Sequence, residues 1–289
     1  MAELLERTAR IDMRLDELAT VTQQDRETHV LERQHLLRIL RFIQADEHRY
    51  RERLVRVRQS EEYERAYTDP DPLISVLIPT FDNYRVMVER TIPSVLAQTY
   101  TNWEIVIVGD NAPPEAADAA DSFGDERIRY WNLPIRGRYP DVPMMRWLVA
   151  GSTPANEAFA NARGQWLAPM ADDDAMRPNH MEVLLEVARR DRLEVAYAKS
   201  IRHGPNGEQD VNGAWPPQLG EFSWQSSLHH GALRFFELQL SDAEFDLPID
   251  WAKAERMLRL GVRFGWVDEV VVDLWPSRLW HPRDVPPEA

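Results

Sequence analysis

The chain has 289 residues, no cysteine, ten tryptophans and a formal net charge of −14. Disulfides, zinc–thiolate centres and thiol nucleophiles are therefore excluded, and so is a broad basic footprint for a nucleic-acid backbone. With 44% hydrophobic residues the composition is that of a folded protein with a sizeable core.

Residues 1–66 contain neither Gly nor Pro. Leu4, Thr8, Ile11, Leu15, Leu18 and Thr22 fall alternately four and three apart, and Leu36, Leu40, Ile43, Glu47, Tyr50, Leu54 and Val57 resume that spacing. So narrow a seam fits a coiled coil or a long helical hairpin over 1–68, with a homo-oligomer formed through residues 1–66 as the favoured reading and a solvated helix lying on the main domain as the alternative. Thr68-Asp69-Pro70-Asp71-Pro72 breaks the helix and places a second domain at 69–289.

From Leu73 the chain alternates between strands and helices. Leu73–Pro79 and Trp103–Val108 are β-branched apolar runs, as buried parallel strands require. Helices are expected over 84–98, 114–122, 156–162, 181–192 and 251–260. Further strands are expected at 128–131, 165–170, 195–198, 233–236 and 270–274. His203-Gly204-Pro205-Asn206-Gly207 predicts a hairpin turn. Residues 133–155 and 211–230 have no period and are expected as loops. Such alternation implies a mostly parallel sheet flanked by helices, with ligands beyond the carboxyl ends of the strands. Thr80, Asp82, Asp110 and the triplet Asp172-Asp173-Asp174 all fall at those ends. Three adjacent acids repel one another, so they suit a bound hard cation or an exposed helix start favoured by its dipole. No apolar run reaches about 18 residues and no cleavable leader is visible, so a cytoplasmic protein without a transmembrane segment is expected.

Ser75-Val76-Leu77-Ile78-Pro79-Thr80, Ser94-Val95-Leu96-Ala97-Gln98-Thr99-Tyr100 and Trp103-Glu104-Ile105-Val106-Ile107-Val108 together resemble the opening of family 2 glycosyltransferases. The resemblance continues through Asn156, Ala158, Ala162 and Gly164 to Asp172-Asp173-Asp174 with Pro178. It extends to Pro248-Ile249-Asp250-Trp251 and Gly261-Val262-Arg263, covering about residues 73 to 275. It implies a GT-A fold, with a nucleotide-binding half over about 73–174 and an acceptor half over about 175–275. It also implies inverting transfer of a sugar from a nucleotide-sugar donor to a hydroxyl acceptor. The sequence departs from the family's pattern at Gly109, where a first acid is usual, and at Asp82, Ala155, Ala171 and Ser277.

The resemblance assigns Pro79, Thr80, Asp82, Asp110 and Asp172 to the donor nucleotide, and Asp173 and Asp174 to the metal. Mn2+ or Mg2+ suits carboxylate oxygens and a diphosphate leaving group. An acid at 110 can accept the N–H of a uracil-like base, which favours a UDP-sugar over GDP- or dTDP-sugars; helix capping is the alternative use. Asp250 matches the family's base, which takes the acceptor's proton. His229, His230 and Trp251 are candidates for the acceptor side. The competing reading is a catalytically degenerate GT-A domain that acts as a binding or scaffolding module through its helical segment. Gly109 and Ala171 favour it, whereas the intact acidic triplet and Asp250 favour the enzyme.

Overall fold

The computed structural model describes His29 and residues 47–276. The expected coiled coil and the oligomer it would build lie mostly outside those residues. One compact unit runs from residue 53 onward, so residues 53–68, expected in the helical segment, belong to the sheet domain. Residues 53–58 are helical, Gln59 and Ser60 interrupt, and α1 (Glu61–Thr68) follows, with the Ser60 hydroxyl capping the Tyr63 N–H. The reason is burial: Tyr63, Ala66 and Tyr67 enter the main core. The Trp166 indole donates to Ala66 O at 3.1 Å, and Tyr67 stands edge-on to that ring.

The sheet is built around β1 (Ile74–Thr80), an apolar strand buried along its length except at Pro79. β2 (Trp103–Gly109), fully buried, pairs parallel on one side, and β3 (Ile128–Asn132) extends that edge. The chain then returns to lay β4 (Trp166–Pro169) parallel against the other side of β1. The first four strands are thus the parallel set that their apolar runs predict. Beyond β4 the sheet is mixed, in the order β3-β2-β1-β4-β8-β6-β9-β5, with β7 hairpinned to β6. Here β5 is Ala175–Met176, β6 Val195–His203, β7 Gln209–Asn212, β8 Ser227–His230 and β9 Phe264–Leu274. The 203–207 turn makes the expected β6–β7 hairpin.

Several local expectations change. Leu233–Phe236 is not a strand: Gly231–Phe235 forms a 3-10 turn capped by the His230 ring. The 133–155 stretch holds α4 (Pro143–Val149) and the start of α5 (Ser152–Asn161), so it is a short strap followed by two helices. The 211–230 stretch holds the end of β7 and all of β8, and β8 is Ser-Leu-His-His, a buried strand with no apolar run to mark it.

α2 is the helical stretch Tyr84–Val86, Met87–Thr91 and Ile92–Leu96, whose middle turn is a π-turn. Pro93 lacks the N–H an α-helix needs, and the widened turn absorbs that loss. α3 is Glu115–Asp121, α6 His180–Arg190 and α7 Ile249–Arg259. No helix among the described residues is long and apolar enough to cross a membrane.

Candidate active site

The strand order reverses between β1 and β4, which opens a crevice at their carboxyl ends. Thr80 closes β1, and its hydroxyl donates to Asp172 Oδ2 at 2.7 Å across that crevice. Asn83 Nδ2 donates to the other oxygen, Oδ1, at 3.3 Å. Asp82, expected on the donor side, is exposed, and the contact to Asp172 comes from its neighbour Asn83. On the other side, Asp110 N–H donates to Thr80 O at 2.8 Å. Thr80 therefore joins the acid after β2 to the acid after β4. Pro79 sits one residue earlier, in register with Val108.

The three acids differ in surroundings. Burial and the adjacent Asp173 push the Asp172 carboxyl up to about 7, against the pull of Thr80 and Asn83. Asp174 is buried, and desolvation and Asp173 hold it well above the usual carboxylate range. One opposing contact is the Trp275 N–H, which donates to Asp174 Oδ1 at 2.8 Å. The turn itself is clamped from outside. Arg90 donates to Asp173 O at 2.7 Å, and Thr91 Oγ1 donates to Asp174 O at 2.8 Å.

Behind the turn, the Trp275 ring is stacked on the His203 ring at 4.4 Å and lies 3.9 Å from the Arg90 guanidinium. Asp273 accepts from Arg177 at 2.9 Å and pairs with His203 at 2.9 Å. None of these supporting residues was a sequence candidate. They meet only because the π-turn of α2 and the end of β9 both abut the acidic turn.

Among the described residues no three His, Asp or Glu side chains form a ready metal cage. Of the two acids expected to hold a metal, Asp174 already accepts the Trp275 N–H through Oδ1, while the neighbouring Asp172 accepts from Thr80 and Asn83.

Asp110 is also buried, and both its oxygens are engaged. Gly137 N–H donates to Oδ1 at 2.8 Å, Tyr139 OH donates to Oδ2 at 2.7 Å, and Arg136 lies 3.8 Å away. Arg136 also covers the Phe81 ring at 3.6 Å. The strap 136–139 thus sits on the acid expected to read a base. A Cβ at Gly137 would come within 2.6 Å of Thr153 Oγ1 and the Tyr139 ring, so this path needs glycine. Gly109 has a similar reason: a Cβ there would lie 2.4 Å from Asn132 Oδ1 and 2.7 Å from Tyr130 OH.

Asp250 occupies the first turn of α7 after Pro248, and its Oδ1 accepts the Trp251 N–H at 2.7 Å. Burial raises this carboxyl to about 6, the range in which a carboxylate can serve as a base near neutrality. Trp251 is half-buried beside it.

His229 and His230 do not line an open acceptor site. Both are buried in β8, where the His229 ring stacks on Trp224 at 4.2 Å and pairs with Ser227 Oγ at 2.8 Å. His230 stacks on Tyr63 at 4.4 Å and contacts Tyr63 O at 3.0 Å. Desolvation pushes the His230 ring down to about 4 and His229 well below its ordinary value. Both are neutral core side chains.

The model of glycosyl transferase family 2 matches residues 75–139 and 152–241, more than half of the chain. The putative colanic acid biosynthesis glycosyl transferase WcaA of Escherichia coli K12 is 31% identical over 117 residues, 40% of this chain and 37% of the relative. The Escherichia coli UDP-Glc:alpha-D-GlcNAc-diphosphoundecaprenol beta-1,3-glucosyltransferase WfgD is 26% identical over 127 residues, 44% of this chain and 45% of the relative. The chain spans less than half the length of these curated relatives. Among solved structures, S. aureus TarS 1-349 superposes with a TM-score of 0.55 at 14% identity, covering 70% of this chain and 60% of that one. TarS 1-349 in complex with UDP-GlcNAc gives 0.51 at 16% identity, covering 71% and 59%. At such identities these structures speak for the GT-A fold, and the family model for descent: the chain belongs to glycosyl transferase family 2.

Proposed function

We propose that this chain is a metal-dependent, inverting glycosyltransferase that uses a nucleotide-sugar donor, a UDP-sugar before others, and a hydroxyl acceptor. The observation that carries this reading is the Thr80–Asp172–Asn83 contact across the β1/β4 crevice, with Asp173 and Asp174 in the same turn. The donor's nucleoside would lie over β1 and β2, near Pro79, Thr80, Asp82 and Asp110, with its diphosphate toward the acidic turn. Asp173 and Asp174 would hold Mn2+ or Mg2+, which supplies Lewis-acid stabilisation of the departing diphosphate.

Asp250 would accept the proton of the acceptor hydroxyl as its oxygen bonds to the anomeric carbon. The bond from that carbon to the diphosphate oxygen breaks on the opposite face, so configuration inverts and the leaving nucleotide takes the electron pair. The low-dielectric setting that raises Asp250 makes its carboxylate a stronger base than a solvated aspartate. A UDP-sugar is favoured because TarS has been solved with UDP and with UDP-GlcNAc, and the WfgD relative is named for UDP-Glc. For a base to reach Asp110, the strap contact from Gly137 or Tyr139 must give way.

Calorimetric titration of the full chain with UDP, GDP and dTDP, each with and without Mn2+, tests the reading. The expected result is metal-dependent binding, tightest for UDP. Absence of metal-dependent binding to all three would overturn it in favour of a degenerate binding module.

A further inference from the structure

α4 and the strap before it show two faces of different character. Leu148 and Val149 are buried with Ala243, and Met145 packs on that cluster together with Tyr139 and Ile249. The remaining apolar side chains have no such cover: Ile135 is 75% exposed, Val142 54%, Met144 40% and Trp147 36%. Met144 and Trp147 are three residues apart, so they share one face of the helix. Between residues 133 and 149 there are three arginines, Arg136, Arg138 and Arg146, against one acid, Asp141, in a chain whose net charge is −14. Arg136 and Arg138 are exposed, while Arg146 holds Pro140 O and Asp141 O and so fixes the strap to the helix. On the neighbouring Leu240–Phe245 turn, Glu244 and Asp246 flank Phe245, which confines the basic apolar face to 135–147.

We propose that residues 135–147 form a docking surface for an anionic bilayer. Exposed Trp, Met, Val and Ile beside arginine is the chemistry of an interfacial segment: the apolar side chains enter the acyl boundary while the guanidinium groups stay at the headgroups. The strong negative charge of the rest of the chain would turn its other faces away from anionic lipid. Because Gly137 and Tyr139 of the same strap hold Asp110, a docked bilayer would lie beside the carboxyl ends of β1 and β2.

The test is co-sedimentation of the full chain with vesicles of phosphatidylglycerol and phosphatidylcholine in equal parts, and with phosphatidylcholine alone. Anionic vesicles are expected to retain the protein about tenfold more tightly, since one arginine near such a surface changes partition about fivefold. Arg138→Glu, and separately Ile135→Glu combined with Trp147→Glu, should each weaken retention about tenfold. The substituted side chains are exposed, and circular dichroism checks that the fold is kept. Equal retention by both vesicle types, no retention by either, or variants that bind like wild type would overturn the proposal. Variants that lower the solution mass without changing vesicle retention would overturn it as well and reassign the face to a second copy of the chain. The readout needs no sugar transfer, so its failure is distinct from failure of the transferase reading.

Discussion

Glu194 and Asp174 each immediately precede a strand, each is buried, and each is a carboxylate, yet their surroundings are opposite. Glu194 takes Arg58 through two contacts of 2.7 Å, Tyr63 OH at 2.7 Å and Arg263 N–H at 2.8 Å. Desolvation pushes its pKa up, but these donors outweigh it and hold the group below the usual range. Burial raises Asp174 first, Asp173 and Asp172 add to it, and Trp275 N–H and Arg90 do not outweigh them. The first cluster is complete within the chain and ties α1 to the sheet. The second gathers three like charges in one turn, opposed by contacts from Thr80, Asn83, Trp275 and Arg90.

The comparison is tested most sharply at Asp250, the acid proposed as the base, which joins neither cluster. Asp250→Asn should lower kcat/KM about 10²- to 10⁴-fold, the usual contribution of a general base, while calorimetric UDP affinity stays unchanged. Wild-type kcat/KM should rise with pH around about 6. The sign for stability is the reverse: the folded pKa is raised, so the group's contribution is full below its unfolded value and is lost as pH rises through about 6. A flat pH–rate profile, or turnover preserved in the variant, would remove Asp250 as the base.

Glu194→Ala comes next and should act on stability alone. Loss of the shared acceptor leaves the Tyr63 hydroxyl proton and the Arg263 N–H without an acceptor, though the partly exposed Arg58 can turn to water. The expected cost is about 3 kcal/mol in urea unfolding. Because the folded pKa of Glu194 is depressed, its contribution is present above the unfolded value of 4.5 and is lost as pH falls through the folded one. The variant should therefore show a weaker acid transition than wild type; an identical transition would show that this cluster is not the anchor.

Most of the donor half was legible in the sequence because it is periodic. The apolar runs of β1 and β2 and the acids at strand ends can be read from residue types alone. What was not legible depends on contacts between distant residues. Thr91 reaches Asp174 across 83 positions and Trp275 reaches it across 101, and no local pattern announces either. His229 and His230 misled because polar residues beside tryptophan suggest a sugar site. In β8 their ring nitrogens instead meet a hydroxyl and a carbonyl of the core. The helix break at Pro70 is visible in the sequence, but no local pattern shows that Tyr63 and Tyr67 just before it enter the core of the sheet domain.

Adding Mn2+ separates the two clusters directly. At a free concentration about ten times Kd, a cation that binds the folded state stabilises it by about 1.4 kcal/mol, read as a rise in melting temperature. Wild type and Glu194→Ala should both show the rise, while Asp173→Asn and Asp174→Asn should not. A rise that persists in both aspartate variants would place the cation elsewhere.

The smallest expected effect concerns Asp110, a buried acid whose partners come from the chain but sit on a strap rather than on the sheet. If a base must displace the strap, weakening the strap should help the donor. Tyr139→Phe removes one hydrogen bond to Asp110 Oδ2, given at 2.7 Å, and leaves the ring that packs on Leu148 and Val149. One such bond is worth about 1 kcal/mol, so UDP affinity should rise about fivefold by calorimetry, with little change in melting temperature. Weaker UDP binding in this variant would mean that Tyr139 holds Asp110 in place for the base. Unchanged binding would mean that Asp110 belongs with Glu194, as a structural carboxylate whose partners are already present.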